Sequence, residues 1–332
     1  MSALHTVIGR RLSLAAVTAL VLTTAGCSSA AYRPTPVPAA SATTSTSPSA
    51  SAGSTGTATG TGQCLASYRP DGPLPKPRKG SGPTLAAIYK RGYLKAGVSA
   101  DTLLLGAANP LKPNIPIEGF DIDMLRAVST ALFGNPDKVD FTVINAAQRI
   151  PALTSGEVDI VARNMTINCE RWKQVAFSSQ YYQAGQRLLV PVTSPVTRPA
   201  ELGGKRVCAP SGSTSLTTIA TFRGVVPVPA GTHTACLVLF QQGKVDAITG
   251  DDTVLAGLAA QDPYAKVVGA RFSSEPYGLA MAPKNLDLVR FVNAVLDRMR
   301  TDGTWKKDYD RWLKAALGPA PAPPAPVYGR KP

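Results

Sequence analysis

Between residues 85 and 317 the chain alternates short apolar runs with amphipathic stretches. "YLKAGV" (93–98), "DFTVI" (140–144) and "VDIVA" (158–162) are apolar runs bounded by polar or turn residues, the pattern of buried strands. Between them "DIDMLRAVSTALFG" (121–134) has helical periodicity, with Asp121 as its N-cap and Gly134 near its end, and "RIPALTSG" reads as a short helix. Strands alternating with helices predict an α/β fold on a parallel sheet. "QRLLVPV" (186–192) and "YGLAMAP" (277–283) read as strands flanking a second such unit, carrying the chain out of one lobe and back. The helical stretches "LDLVRFVNAVLDRMRTDG" and "TWKKDYDRWLKAAL" then rejoin the first lobe.

An internal echo supports two lobes. "LTSGEVDIVARN" (153–164) matches "FQQGKVDAITGD" (240–251): helix end, glycine, Val-Asp, apolar strand, then a polar residue eight places after the glycine. Asn164 and Asp251 are expected at corresponding strand ends. Ligands of open α/β sheets collect at the carboxyl ends of strands, so two facing lobes predict a cleft lined from both sides.

The flanks differ. Residues 1–27 read as a lipoprotein export signal, with Arg10 and Arg11 before an apolar run Leu12–Leu22 and Cys27 at the cleavage point, where acylation would anchor the mature chain to the outer face of the membrane. Residues 28–80, dominated up to 62 by Ala, Ser, Thr, Pro and Gly, read as a disordered tether, and 318–332 as a Pro-rich tail. Lobe one is expected over 81–190 plus 277–317 and lobe two over 191–276. Export puts Cys64, Cys169, Cys208 and Cys236 in an oxidising compartment, where two disulfides are expected over a metal site. Three pairings are possible; locality favours Cys208–Cys236, which leaves Cys64–Cys169.

The net charge of +14, on an exported chain, does not imply nucleic acid; it either draws anionic ligands or is a solvated basic surface. The two histidines are His5, in the signal, and His233, so a multi-histidine metal site is excluded and a Ser-His-Asp triad would need that one imidazole. No Walker loop or G-x-S-x-G elbow occurs, and no spare cleft acid for catalysis is evident.

Arg171 in "NMTINCER" follows a strand end, and its planar fork suits a carboxylate. Asp251 is the complementary charge of the second lobe; of Asp251 and Asp252, one is free to cap the helix "DTVLAGLAA" while the other faces the cleft. An arginine and an aspartate from opposite lobes would read the carboxylate and ammonium of an amino acid. "PSGSTSL" (210–216) opens a helix after a strand, bringing Gly212, Ser213 and Thr214 toward the carboxylate that Arg171 would bind. Arg149, in "NAAQRIPAL", is either a solvated helix residue or a second guanidinium in the cleft.

Taken in order, "GFDIDML", "RIPALTSGEVDIVARNMTINCERWKQVAFSSQYYQAGQRLLV", "GKRVCAPSGSTSL", "GKVDAITGDD" and "FVNAVLDRMRTDGTWKKDYDRW" resemble the family-3 solute-binding proteins that capture polar amino acids for ABC importers. The resemblance implies a two-lobed, type II periplasmic-binding-protein fold with two hinge strands and the ligand in the interlobe cleft. It implies that Arg171 takes the α-carboxylate, helped by Thr166, Ser213 and Thr214, and that Asp251 takes the α-ammonium with a backbone carbonyl of Asn164. In the branch that binds glutamate and aspartate it places Arg149 on the side-chain carboxylate and aligns a histidine with His233. Aromatic rings that sandwich the ligand in many relatives are replaced by Leu104 or Leu105 and by Ala146, and an arginine of some dicarboxylate binders has no counterpart near Ala100. The function implied is a monomeric, non-enzymatic receptor without cofactor or metal. Its ligand would be glutamate or aspartate before glutamine or asparagine, and its partners the permease subunits of an importer or, alternatively, a membrane signalling receptor.

Overall fold

The structure, a computed structural model, describes residues 64–72, 74, 82–114 and 116–331. The export signal, Cys27 and the tether up to residue 63 lie outside the described residues. The rest forms two α/β lobes, each built on a five-stranded sheet.

In the first sheet Leu94–Val98 lies between Val139–Val143 and Ile160–Ala162, parallel to both, and Ala280–Met281 joins antiparallel, followed by Ala176–Phe177. The second sheet repeats that arrangement. Arg206–Pro210 lies parallel between Val226–Ala230 and Ala247–Asp251, and Gln186–Pro191 joins antiparallel, followed by Ala265–Val268. The sequence echo is therefore topological, since its two strands occupy the third place of their sheets. Its Val-Asp pair also does the same job twice. Asp159 accepts the N–H of Lys95 at 2.9 Å and pairs with Arg91, while Asp246 accepts the N–H of Arg206 at 2.8 Å and pairs with its guanidinium. Each aspartate locks the start of its own strand to the start of the central one.

The chain crosses between lobes on Tyr182–Ala184 and Glu275–Tyr277, which pair antiparallel with Tyr182 opposite Tyr277. Each crossing strand then continues as the antiparallel strand of the sheet it enters. Gln186–Pro191, expected to end lobe one at 190, is thus a strand of the second sheet, and the exit lies before it.

Asp121 is not an N-cap. The helix runs Phe120–Phe133 with Gly119 at the cap position, and the N–H groups of Phe120 and Asp121 are taken by the carbonyls of Leu104 and Leu105 at 2.9 and 3.0 Å. A side-chain cap is redundant there, and the backbone approach is so close that a Cβ on Gly119 would lie 2.2 Å from the Leu105 oxygen. The freed Asp121 carboxylate turns inward, accepting Tyr181 Oη and the Asn164 N–H at 2.7 Å each. Gly134 ends the helix in the left-handed conformation, as expected.

Within the stretch expected as a disordered tether up to residue 80, the described residues 64–72 are held in place. Ser67 is buried; its N–H donates to Val327 O at 2.9 Å and its hydroxyl to Phe177 O at 2.7 Å, while Asn293 holds both Ser67 and Tyr68. The Pro-rich tail completes this clasp: Tyr328 Oη donates to Asp297 at 2.8 Å, Arg300 Nε to Pro324 O at 2.9 Å, and the Arg330 guanidinium sits 3.6 Å from the centre of the Trp172 ring. Composition averages over these few anchors and so misses them. Both disulfides form as locality suggests, Cys208–Cys236 within lobe two and Cys64–Cys169 from the clasp to the helix that carries Arg171.

Candidate functional site

The segment 164–171 leaves the third strand of the first sheet through Asn164, whose φ of 37° is left-handed, a region asparagine tolerates better than most residues. Thr166 then bridges to Tyr277 of the hinge strand. Asn168 caps the short helix Cys169–Trp172, its side chain accepting the Arg171 N–H at 2.9 Å. The Arg171 guanidinium folds back, with Nη1 donating to Thr166 O at 2.8 Å and Nη2 reaching Gly212 O in lobe two at 3.3 Å.

Lobe two meets it with the turn that ends Arg206–Pro210. Gly212 has φ 74°, and a Cβ there would lie 2.8 Å from the Ala147 Cα, so a side chain would hold the lobes apart. Ser213 caps the helix Thr214–Ile219, its hydroxyl accepting the Leu216 N–H at 3.1 Å and donating to Pro210 O at 2.6 Å. Asp251 ends its strand against Tyr277, whose Oη donates to Oδ2 at 2.7 Å; Oδ1 is buried and has no hydrogen-bond partner among the described residues. Neither aspartate side chain caps the next helix, because Asp251 makes no cap bond and Asp252 pairs with Arg271.

Arg149 opens the helix Arg149–Thr154 and is not solvated. It donates to the carbonyls of Ala146, Arg163, Asn164 and, across the cleft, Gly212 at 2.9, 3.2, 3.4 and 3.1 Å. Arg149, Arg163 and Arg171 are only 3%, 3% and 8% exposed, and none lies within salt-bridge distance of a carboxylate among the described residues. Burial first, then Arg171 and Arg163, push the Arg149 guanidinium well below its ordinary pKa; it shares the Gly212 carbonyl with Arg171 and donates to the Arg163 carbonyl. Asp251 is pushed up to about 8 by burial and next by Glu275. His233, in lobe two, is pushed down to about 3 by burial and then Arg163, which makes it a neutral imidazole; its Nε2 has no partner among the described residues.

Of the eight residues expected at the site, Arg149, Asn164, Thr166, Arg171 and Thr214 are joined by hydrogen bonds directly or through Gly212 and Glu275, Ser213 precedes Thr214 as the helix cap, and Asp251 and His233 lie on the lobe-two side. The sequence did not reveal Glu275, Tyr277 and Arg163. Glu275 is a cleft acid, 3% exposed, whose Oε2 accepts the hydroxyls of Thr166 at 2.6 Å and Thr214 at 2.8 Å, one from each lobe. Its signal was an acid at the start of a crossing strand. Arg163, in "IVARN", was a charge ending an apolar run; its Nε donates to Ile144 O at 2.7 Å.

The family profile of bacterial extracellular solute-binding proteins, family 3, matches residues 108–315. The chain is 35% identical over 236 residues to the ABC transporter glutamine-binding protein GlnH of Bacillus subtilis (strain 168), covering 70% of this chain and 85% of that protein. It is 30% identical over 251 residues to the glutamate-binding protein GluB of Corynebacterium efficiens, covering 71% and 83%. Among solved structures, holo ArgBP from T. maritima superposes with a TM-score of 0.61 at 28% identity, covering 69% of this chain and 99% of that one. With this match and the paired-lobe architecture, the chain belongs to the family-3 extracellular solute-binding proteins, a family of two-lobed binders and not of enzymes.

Proposed function

We propose that the protein is an extracytoplasmic receptor, anchored through acylated Cys27, that closes on an acidic L-amino acid and delivers it to the permease of an ABC importer. Glutamate or aspartate is favoured over glutamine or asparagine. The observation that carries this reading is Arg149, a buried guanidinium whose partners are all carbonyls. Carbonyls satisfy its N–H groups and leave its charge uncompensated, so a ligand carboxylate gains the most there. Arg171 takes the α-carboxylate and Asp251 the α-ammonium, from opposite lobes. Relatives named for glutamate and for glutamine binding support the ligand class. In calorimetric titrations glutamate is expected to bind at least tenfold more tightly than glutamine, the differential of one charge-assisted bond, about 1.5 kcal/mol. Glutamine binding more tightly than glutamate rejects the assignment.

The same pocket makes binding proton-linked. Asp251, at about 8 in the protein alone, holds a proton at neutral pH, and an ammonium docked on it favours the carboxylate. Ligand binding then expels that proton. Affinity is expected to rise with pH as pH approaches 8, by up to about tenfold per unit, and to fall once the ligand's own ammonium titrates. A flat affinity between pH 6 and pH 8, the upper end being the Asp251 value, counts against Asp251 as the ammonium's partner.

A further inference from the structure

A hydroxyl has one proton to give, and at this site each is already spent. Thr166 and Thr214 both donate to Glu275 Oε2, Ser213 donates to Pro210 O, and Ser273 donates to Glu275 Oε1 at 2.7 Å. The three hydroxyls that the family resemblance assigns to a ligand carboxylate thus turn lone pairs, not protons, toward the cleft. The Glu275 carboxylate lies beside them, and Asp251, whose Oδ1 has no partner among the described residues, accepts Tyr277 Oη at 2.7 Å, two residues along the crossing strand from Glu275; the Glu275 charge raises the pKa of Asp251 and of Arg171 alike. This corner is rich in acceptors, and its donor is Arg171 on the lobe-one side.

We propose that Glu275 is a specificity-determining residue that completes, with Asp251, a two-carboxylate cage for the ligand's α-ammonium and so makes the cleft select an amino acid over the amine-free dicarboxylic acid of the same length. The proposal rests on the amino-acid reading of the cleft. In the free protein burial and the Glu275 charge keep Asp251 protonated, and an ammonium docked between the two lets both ionise. An amine-free dicarboxylate supplies no such charge and leaves the corner uncompensated, which is discrimination by exclusion. Glu275 also places the cage on the hinge, since its strand touches Thr166 of lobe one and Thr214 of lobe two at a single oxygen. The cage therefore assembles from both lobes and the crossing strand together.

The charged and titratable groups around Asp251 are Glu275, Tyr277, Asp252 with its partner Arg271, Arg149, Arg171 and Tyr181. Removing the Glu275 charge leaves the rest in place and lowers the proton affinity of Asp251, a change that a purely structural role does not produce.

The test is calorimetry on the full chain with L-glutamate and with glutarate, in two buffers of different ionisation enthalpy at pH 7, on wild type, Glu275→Gln and Glu275→Asp. Wild type is expected to bind glutamate and release protons while glutarate binds at least about a thousandfold more weakly; Glu275→Gln narrows that ratio by roughly tenfold or more and releases fewer protons. Glu275→Asp, which keeps the charge, is expected to retain the preference. Variants are compared through the ratio of the two ligands, so a general loss of stability cancels. A ratio and a proton release unchanged in Glu275→Gln, or a preference lost equally in Glu275→Asp, overturns the proposal. If wild type binds no amino acid at all, the amino-acid reading itself fails.

Discussion

Arg171→Ala is expected to remove measurable binding of every L-amino acid, acidic or neutral, because it deletes the group that holds the carboxylate they all share. Truncating one partner of a buried, hydrogen-bonded charge pair costs about 2–5 kcal/mol, or roughly 30- to 5,000-fold in affinity. Two further effects push the result toward the upper end. The guanidinium is the donor to Thr166 O and Gly212 O, so alanine strips a donor from a carbonyl in each lobe and weakens closure as well as contact. It also leaves Glu275 and Asp251 facing the cleft without the guanidinium that offsets them. Arg171→Lys separates charge from geometry: it keeps the cation but not the planar fork, and is expected to bind more weakly than wild type and more tightly than alanine. Titration calorimetry with glutamate, aspartate and glutamine reads all three. An alanine variant within threefold of wild type removes Arg171 from the site.

The legible parts of this protein are those where a local pattern has one physical meaning. Gly-x-Val-Asp before an apolar run encodes a strand start locked by its own aspartate, and because Asp159 and Asp246 make the same backbone bond, the echo exposed both lobes. Asp251 was visible as a charge ending a buried strand and Arg171 as a guanidinium following one, whereas for Arg149 the pattern left a solvated helix residue equally open and only the family resemblance placed it in the cleft. Glu275 was not, since its meaning depends on the register of the two crossing strands, which brings it to Thr166 at a sequence distance of 109. The exit from lobe one was misplaced for a related reason. Residues 182–191 form one nearly continuous extended run in two sheets, and periodicity does not mark where a strand changes partners. Asp121 misled because a good capping residue is uninformative when a backbone turn from Leu104 and Leu105 has already satisfied the helix.

Losing the Cys64–Cys169 bridge is expected to cost more stability than losing Cys208–Cys236. The sequence separation is 105, and a loop of about 100 residues is stabilised by about 4.7 kcal/mol in the chain-entropy model, against about 3 kcal/mol for one of about 15. By that scaling Cys208–Cys236, at a separation of 28, contributes less. The bridge also does what its loop length does not convey. It ties the clasp to the helix Cys169–Trp172, where Trp172 Nε1 donates to Cys64 O at 2.7 Å and the Arg330 guanidinium covers the indole. Arg171 lies between Cys169 and Trp172, so the clasp anchors the carboxylate-binding arginine from behind. Paired serine substitutions at Cys64 and Cys169 are therefore expected to lower the unfolding free energy by about 3–5 kcal/mol and to weaken ligand binding, because Arg171 must then be ordered by the ligand. The equivalent pair at Cys208 and Cys236 is expected to cost less stability and to leave Arg171 undisturbed. Denaturant unfolding of both variants, with calorimetry on each, distinguishes the two bridges, and equal losses of stability with equal affinities would contradict a clasp that acts on the site.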